Sequence, residues 1–478
     1  MGFFFLNRHG ACAAGAWVGW SALALALSLC ACASLPPPMD AMESVAVPVA
    51  WSSPTPTAGA VSLALWWQRF DDPRLGALID QALRANTDVL SARAALQQAR
   101  ALRDVTAARL RPRLDGSVSA QRSQSGDADA GDAFNAGFDA SWEPDVFGGN
   151  RSALNAGDAE TRASAAQLAD VQVSLAAEVA LAYIQLRGAQ ARLGIARNNL
   201  VSQQETLQLT NWRVQAGLVT SLEAEQARAS TEQTLAQIPV LQTSLVQTRR
   251  SLAVLTGQVP GALDAQLSEG SPVPQPADDL AMSLPAETLR QRPDVRAAEH
   301  RVLAAMARVS QADAARFPSF RLSGSLGLRA LALGSLTSGA SVASALLGSV
   351  TVPLFDGGAA SAQVRAQQAA LEQARLAYRA AVLGALKDVE DALVALDGDR
   401  DRLAHLRSAA EAAGNAALLA RQRYASGLVD FQTVLDTQRT LLSTQDSVAS
   451  TTADLSADHV RLYKALGGGW LNDENHPS

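Results

Sequence analysis

The sequence predicts an α+β membrane protein made of two copies of one unit, in which long coiled-coil helices alternate with pairs of membrane-spanning strands. Three observations predict it. The first is an internal repeat: Arg213-Val-Gln-Ala-Gly217-Leu218-Val219 returns as Arg423-Tyr-Ala-Ser-Gly427-Leu428-Val429. Further pairs lie on the same diagonal, including Asp88-Val89 with Asp294-Val295, Arg111-Pro112 with Phe317-Pro318, and Phe147-Gly148-Gly149 with Asp356-Gly357-Gly358. Gly257 pairs with Gly467, and the offset stays between 206 and 210 residues, as duplication of a whole structural unit requires. The second is strand-like alternation of apolar and polar residues at four duplicated places. The third is an apolar residue at every seventh position along two long helix-forming stretches.

The bulk numbers narrow the field. The chain has 478 residues and a net charge of −6, which gives no argument for nucleic acid. Hydrophobic residues make up 48% but aromatics only 5%, and the abundant Ala suits thin helix–helix seams. His9, His300, His405, His459 and His476 show no metal-ligand spacing. No G-x-x-x-x-G-K-[ST] occurs, and no nucleophile–base arrangement stands out, so an enzyme is the least supported class.

Residues 1–31 read as an export signal, with Arg8 ahead of an apolar stretch from Ala11 to Leu29. The three cysteines, Cys12, Cys30 and Cys32, all lie in this region, so no disulfide is expected in the body of the protein. Leu29-Cys30-Ala31-Cys32 resembles a bacterial lipobox. Cys32, preceded by small Ala31, fits it better than Cys30, preceded by bulky Leu29. The lipid expected on Cys32 is a diacylglycerol with an N-acyl chain (palmitate). Ala33, rather than Asp, at the next position implies sorting to the outer membrane. Residues 32–65, with Pro36-Pro37-Pro38 and Pro56, form an extended linker behind the anchor. A plain signal peptide cleaved nearby without lipid is the competing reading, and the extended linker favours the lipoprotein.

The first unit spans 66–260 and the second 284–469, with a Pro-rich linker at 261–283 and a tail at 470–478. No segment after the signal offers about 18 uninterrupted apolar residues, so a membrane crossing must use strands closed into a barrel. Strands are expected at about 113–123, 134–143, 319–328 and 346–354. In Phe134-Asn-Ala136-Gly-Phe138-Asp-Ala140-Ser-Trp142 the even positions are apolar and the odd ones polar, the lipid-out, polar-in dyad of an outer-membrane strand. Phe320, Leu322, Leu326 and Leu328, then Gly348, Val350, Val352 and Leu354, repeat the scheme. Four strands are too few for a filled barrel, which takes about eight. The barrel must then be shared by several copies of the chain.

Helix is expected from 150 to 216 and from 359 to 426. Val179, Leu186, Leu193, Leu200, Leu207 and Val214 set the heptad of the first. Val389, Leu396, Leu403, Ala410, Ala417 and Tyr424 set that of the second. Gly217 and Gly427 end them, and shorter helices run back over about 221–256 and 431–466. Helices at about 88–110 and 294–316 precede the strand pairs. Each shorter pair, end to end, nearly matches one long helix in length.

These residues resemble the outer-membrane efflux (TolC-like) channel family, and within it the NodT-type lipoproteins. The motifs are Trp66-Trp67-Gln-Arg-Phe70-Asp-Asp72-Pro73-x-Leu75, Trp142-Glu-Pro-Asp-Val-Phe147-Gly148-Gly149, Arg292-Pro293-Asp294-Val295-Arg-Ala-Ala-Glu299, Arg316-Phe317-Pro318-Ser319 and Val352-Pro353-Leu-Phe355-Asp-Gly357-Gly358, with the two tip motifs. The resemblance implies a homotrimer. Its twelve-stranded β-barrel, four strands per protomer, would continue into a long α-helical periplasmic barrel belted by a mixed equatorial domain. It implies a passive efflux duct for drugs or other toxic small molecules, working with a periplasmic adaptor (membrane fusion) protein and an inner-membrane pump of RND type. The duct would sit in outer-membrane lipid and extend into the periplasm.

Function is expected to concentrate at the tips. Gly217, Leu218, Val219, Gly427, Leu428 and Val429 are the candidate adaptor contacts, with simple turn-packing as the competing account. The resemblance also implies an acidic constriction: Asp436 is the best match, Asp430 and Glu223 weaker ones. The first copy has Gln226 where the second has Asp436, so a ring would hold one such Asp per protomer and concentrate cations. The competing readings are a lipid-anchored periplasmic coiled-coil scaffold without a pore and a nutrient porin. The four alternating strands speak against the first, and the long heptad helices against the second.

Overall fold

The computed structural model describes residues 47–51, 63–124, 126, 129–276 and 285–469. The signal segment, the cysteines Cys30 and Cys32, most of the following linker and the tail lie outside the described residues. A 3-10 turn, Trp66–Phe70, leads into α1 (Pro73–Ala85) and α2 (Thr87–Ala108). Then come β1 (Arg113–Ser123), β2 (Gly131–Trp142), α3 (Gly149–Gln215) and α4 (Ser221–Leu255). The second half runs α5 (Pro285–Gln291), α6 (Pro293–Ala314), β3 (Ser319–Ala330), β4 (Val342–Thr351), α7 (Ala359–Ala425) and α8 (Phe431–Ala465). Corresponding helices have the same lengths in both halves: 22 residues in α2 and α6, 67 in α3 and α7, 35 in α4 and α8. The chain divides into a strand-bearing unit (Thr106–Leu154 and Ala307–Ala369) and a helical unit holding the rest of the described residues.

In the strand-bearing unit the four strands form one antiparallel sheet in the order β1-β2-β3-β4. The register places Val118, Ala136 and Leu328 on one face, with Ala120, Phe134 and Ala330 a dyad further on, while Asp115, Asp139 and Ser325 line the other. On that polar face Ser117 Oγ donates to Asp139 (3.1 Å). Two strand limits differ from expectation. β2 starts at Gly131, and β4 runs over Val342–Thr351, several residues earlier than 346–354. Pro353 has no N–H to give to a ladder. Pairing therefore stops at Thr351 opposite Ser319, and Val352 and Leu354 lie beyond the strand. The other end gains Val342 to Ala345, paired with Leu328 to Ser325.

Carboxylates start both long helices. Asp145 accepts from the N–H groups of Asn150 (3.0 Å) and Arg151 (2.7 Å), and Asp356 from those of Gly358 and Ala360 (both 2.8 Å). Each satisfies N–H groups that the first helical turn leaves without partners. Those two backbone bonds hold the Asp356 carboxyl below its usual range.

The helical unit is built on a core where the 66–75 motif meets α3 and α8. Trp66 stacks on Tyr463 with ring centroids 5.3 Å apart, and Phe70 meets the same ring edge-on at 6.2 Å. Asp72 caps α1, and its second oxygen accepts from Tyr183 Oη (2.7 Å), which in turn accepts from buried Arg187 (2.9 Å). Burial first, then the bond to Asp72, pushes the Tyr183 phenol up to about 12. An 18-residue stretch of α3 reaches a mean hydropathy of 1.2, enough by composition to cross a bilayer. Leu175, Val179, Ala180, Ile184, Leu186 and Leu193 of α3 are core residues of the helical unit.

The Arg292-Pro293-Asp294-Val295 motif also has a structural explanation. Pro293 starts α6, where its missing N–H costs no helical bond. Arg292, buried, donates to Asp294 (3.0 and 2.7 Å), Asp388 (3.1 Å) and the Ala465 carbonyl (2.8 Å). It thereby ties the start of α6 to α7 and α8.

The heptads hold in part. Along α7, Val389, Leu396, Leu403, Ala417 and Tyr424 are buried and Ala410 half-buried. Along α3 the apolar series is buried only through Leu193. Leu200, Leu207 and Val214 are half-buried, and burial passes to Ala196, Gln203 and Thr210. A straight helix drifts about 20° per heptad against a strict seven-residue repeat, so over this length the buried face moves off the leucines. The new seam is polar: Gln438 Nε2 donates to Thr206 Oγ1 (3.0 Å), and Asn199 Nδ2 to Gln445 (2.9 Å).

Candidate functional site at the helix tips

Both R-x-x-x-G-L-V motifs close a helix in the same way. At the first tip the Gly217 N–H donates to the Val214 carbonyl and the Leu218 N–H to the Arg213 carbonyl, both at 2.9 Å. At the second, Gly427 donates to Tyr424 (3.1 Å) and Leu428 to Arg423 (2.9 Å). This double bond pattern requires a left-handed residue just past the helix. Gly217 and Gly427 supply it at φ +69° and +70°, a conformation that a side chain disfavours. The duplicated glycine thus has a backbone reason, and Leu218 and Leu428 follow it at 73% and 74% exposure. Val219 and Val429 are half-buried, and Val429 packs on a cluster of Ala227, Ala420, Tyr424, Phe431, Val434 and Leu435. For the two valines turn-packing is therefore part of the role; the two leucines remain presented to solvent.

The tips are tied to each other. The Arg213 guanidinium lies over the Tyr424 ring, 4.4 Å from its centroid, and donates to the Tyr424 and Ala425 carbonyls (3.3 and 3.2 Å). Tyr424 Oη donates to Glu223 (3.0 Å), and its ring packs on Phe431 at 5.4 Å. One aromatic residue of the second tip is thus held by a cation and an anion of the first. Burial pushes the Tyr424 phenol up; the Glu223 carboxylate adds to this, while Arg213 opposes it. This tie was not foreseen from the sequence. The signal is an asymmetry in the repeat: Tyr424 stands where the first copy has Val214, so only one of the two duplicated arginines gains an aromatic partner across the tips.

The three candidate acids have different surroundings. Asp430 is the N-cap of α8, accepting from the Thr433 N–H (2.8 Å) and Thr433 Oγ1 (2.6 Å). The hydroxyl first, then the amide, hold its carboxyl below the usual range. Glu223 is engaged by Tyr424. Asp436 is exposed and, among the described residues, is touched from its own helix by Gln432 Nε2 (2.9 Å) and Arg439 (3.8 Å). Among the described residues no group of three or more His, Cys, Asp or Glu side chains is placed to hold a metal ion.

Trp212, 58% exposed, and Leu222, 64% exposed, add to the apolar surface around the first tip. The sequence reading did not single them out. The repeat offers the clue, since the second copy has Gln422 and Gln432 at these places.

The chain matches the family model described as outer membrane efflux protein twice, over residues 78–258 and 284–468. It is 33% identical over 466 residues to the pyoverdine export outer membrane protein OpmQ of Pseudomonas aeruginosa, covering 92% of this chain and 94% of that protein. To the probable outer membrane lipoprotein SilC of Salmonella typhimurium it is 29% identical over 425 residues, 88% of this chain and 91% of that one. The solved structure of the outer-membrane channel OprN is similar at a TM-score of 0.87 and 36% identity, over 91% of this chain and 99% of that chain.

Proposed function

The chain belongs to the outer membrane efflux protein family, and on that premise we propose that it is the passive exit duct of a tripartite export system. It is an outer-membrane protein and not an enzyme. A periplasmic adaptor would join it to an inner-membrane pump of RND type, which supplies the energy, and the cargo would be small toxic molecules. OpmQ exports pyoverdine by name, which extends the range to secreted metabolites. Three copies would each give β1 to β4 to one twelve-stranded barrel, continued by the helices. Lipid on Cys32, as the lipoprotein SilC suggests, would anchor each copy.

One observation carries the proposal. Among the described residues, a four-stranded sheet with an apolar and a polar face leaves both edge strands, β1 and β4, without a partner on their outer sides. An open edge in lipid costs several kcal/mol per unpaired backbone group, and pairing β4 of one copy with β1 of the next removes it. The equal helix lengths of the two halves support the reading of an internal two-fold repeat. Three Asp436 carboxylates would ring the passage near the tips. Leu218 and Leu428 would meet the adaptor.

Single-channel recording in planar bilayers tests this. Wild type should give small, cation-selective currents that trivalent cations block, and Asp436→Ala should lose part of that selectivity or conduct more. Silence from well-inserted trimer would mean a sealed resting tip. Failure to insert at all would overturn the barrel and favour the pore-free scaffold.

A further inference from the structure

The strand-bearing unit has two unlike rims. One carries the loops between β1 and β2 and between β3 and β4; at the other all four strands join helices. The register fixes that second rim, with Arg113 opposite Ser141, Trp142 opposite Leu322 and Ser319 opposite Thr351. Trp142 is the last residue of β2 and continues its apolar face beyond Phe134, Ala136, Phe138 and Ala140. It is exposed, and its Nε1 donates to the Leu110 carbonyl at 3.1 Å. That bond ties the indole to the turn Arg109-Leu110-Arg111, which leads into β1.

Charge at this rim is unbalanced. Arg109, Arg111 and Arg151 are exposed, and among the described residues nothing is bonded to their guanidinium groups. The acids flanking the strand ends are mostly engaged. Asp115 pairs with Arg113 (2.8 Å) and Asp313 with Arg316 (3.0 Å). Asp145 and Asp356 accept from the first N–H groups of α3 and α7. Of these acids Glu143 alone remains, among the described residues, to face Arg109, Arg111 and Arg151.

A second copy does not supply the missing charge. In a barrel shared by several copies, the end of β4 would lie beside the start of β1 of the next. Val352-Pro353-Leu354-Phe355, which follows β4, has no charged residue. Leu354 and Phe355 are 92% and 93% exposed, so the neighbour would bring apolar surface, not carboxylate, to the arginines. The repeat makes this corner specific to the first unit, since Ala315 and Phe317 stand where it has Arg109 and Arg111.

We propose that this rim docks on the periplasmic leaflet, and that Arg109 and Arg111 beside Trp142 hold the phosphate of an anionic glycerophospholipid. The inference rests on the barrel reading, because it needs the apolar face in lipid and the helices in the periplasm. Trp gathers at membrane–water boundaries because its ring is apolar and its N–H polar. Here Leu110 already satisfies the N–H, so the ring marks the boundary without competing for the headgroup. The two arginines lie past the end of the apolar face, at the height of the phosphate layer, where a guanidinium binds two phosphate oxygens at once. Phosphatidylglycerol fits better than phosphatidylethanolamine, whose own ammonium group offsets its phosphate charge.

The test equilibrates the full-length trimer, in mild detergent, with equal amounts of phosphatidylglycerol and phosphatidylethanolamine, and counts the retained lipid by native mass spectrometry. Wild type should favour phosphatidylglycerol, and the preference should fall roughly fivefold for each arginine replaced in Arg109→Gln and Arg111→Gln. Arg329→Gln, at the loop-bearing rim, should leave it unchanged. High salt should abolish the preference of wild type, a readout that stands even if the variants do not assemble. Equal retention of both lipids by wild type, or a preference that survives both substitutions or high salt, would overturn the inference alone, since a membrane-inserted trimer would still support the barrel. Failure to enter vesicles of either lipid would remove the barrel and this inference with it.

Discussion

Single residues decide how the tips are held. Tyr424→Phe keeps the ring, its packing on Phe431 and the Arg213 contact, but removes the donor to Glu223. Hydrogen bonds to charged groups contribute about 1.5–3 kcal/mol when desolvated, and this partly exposed one should give less. We expect a small rise in resting conductance for Tyr424→Phe and a larger one for Tyr424→Ala, which also loses the ring. Equal conductance in all three would mean that the tie does not restrain the tip. Gly137 is a second sensitive residue. A Cβ there would lie 2.8 Å from Gly327 Cα and 2.9 Å from the Leu326 carbonyl oxygen, with only backbone to give way. Gly137→Ala should part β2 from β3 and reduce the yield of folded, heat-resistant protein. Unchanged yield would show that the sheet can open locally without cost.

Elements are set by their ends. Gly217→Ala or Gly427→Ala must place a side chain in the left-handed region, at about 1–2 kcal/mol, while the flanking helices stay intact. Limited proteolysis should then cut at the altered tip and nowhere new; a changed pattern elsewhere would mean the turn is not an independent unit. The Asp430 cap gives α8 a pH dependence of the ordinary carboxylate sign. Its folded value is lowered, so the capping stability is present above the unfolded value and fades as pH falls through the folded one. Asp430→Asn should flatten that acid-side loss in protection of the first turn of α8, as measured by amide exchange.

For the whole molecule, β1 and β4 have no partner strand on their outer edges among the described residues, so the proposed duct would make assembly part of folding. A barrel shared by three chains should run as a trimer in unheated detergent electrophoresis and as a monomer only after boiling. A folded monomer inserted in lipid would contradict the sharing of strands. In the proposed duct Asp436 and the sheet edges serve different roles, so Asp436→Ala should alter selectivity without lowering trimer stability.

The sequence by itself determined where most helices and strands lie. Period-two alternation, heptads, the duplicated glycines and proline positions are local rules, and they placed ten of the elements within a few residues because neighbouring residues alone enforce them. Pro353 shows where that reading fell short: alternation continued through Val352 and Leu354, but only pairing with β3 shows where the ladder ends. The drift of the α3 seam from leucines to Gln203 and Thr210 was equally hidden, since a small angular mismatch becomes visible only when it accumulates against a partner helix. The tertiary structure alone decided the site's connections. Arg213 meets Tyr424, and Arg292 meets Asp388, across distances in sequence that no periodicity encodes, because charge neutralisation is a property of what folding brings together.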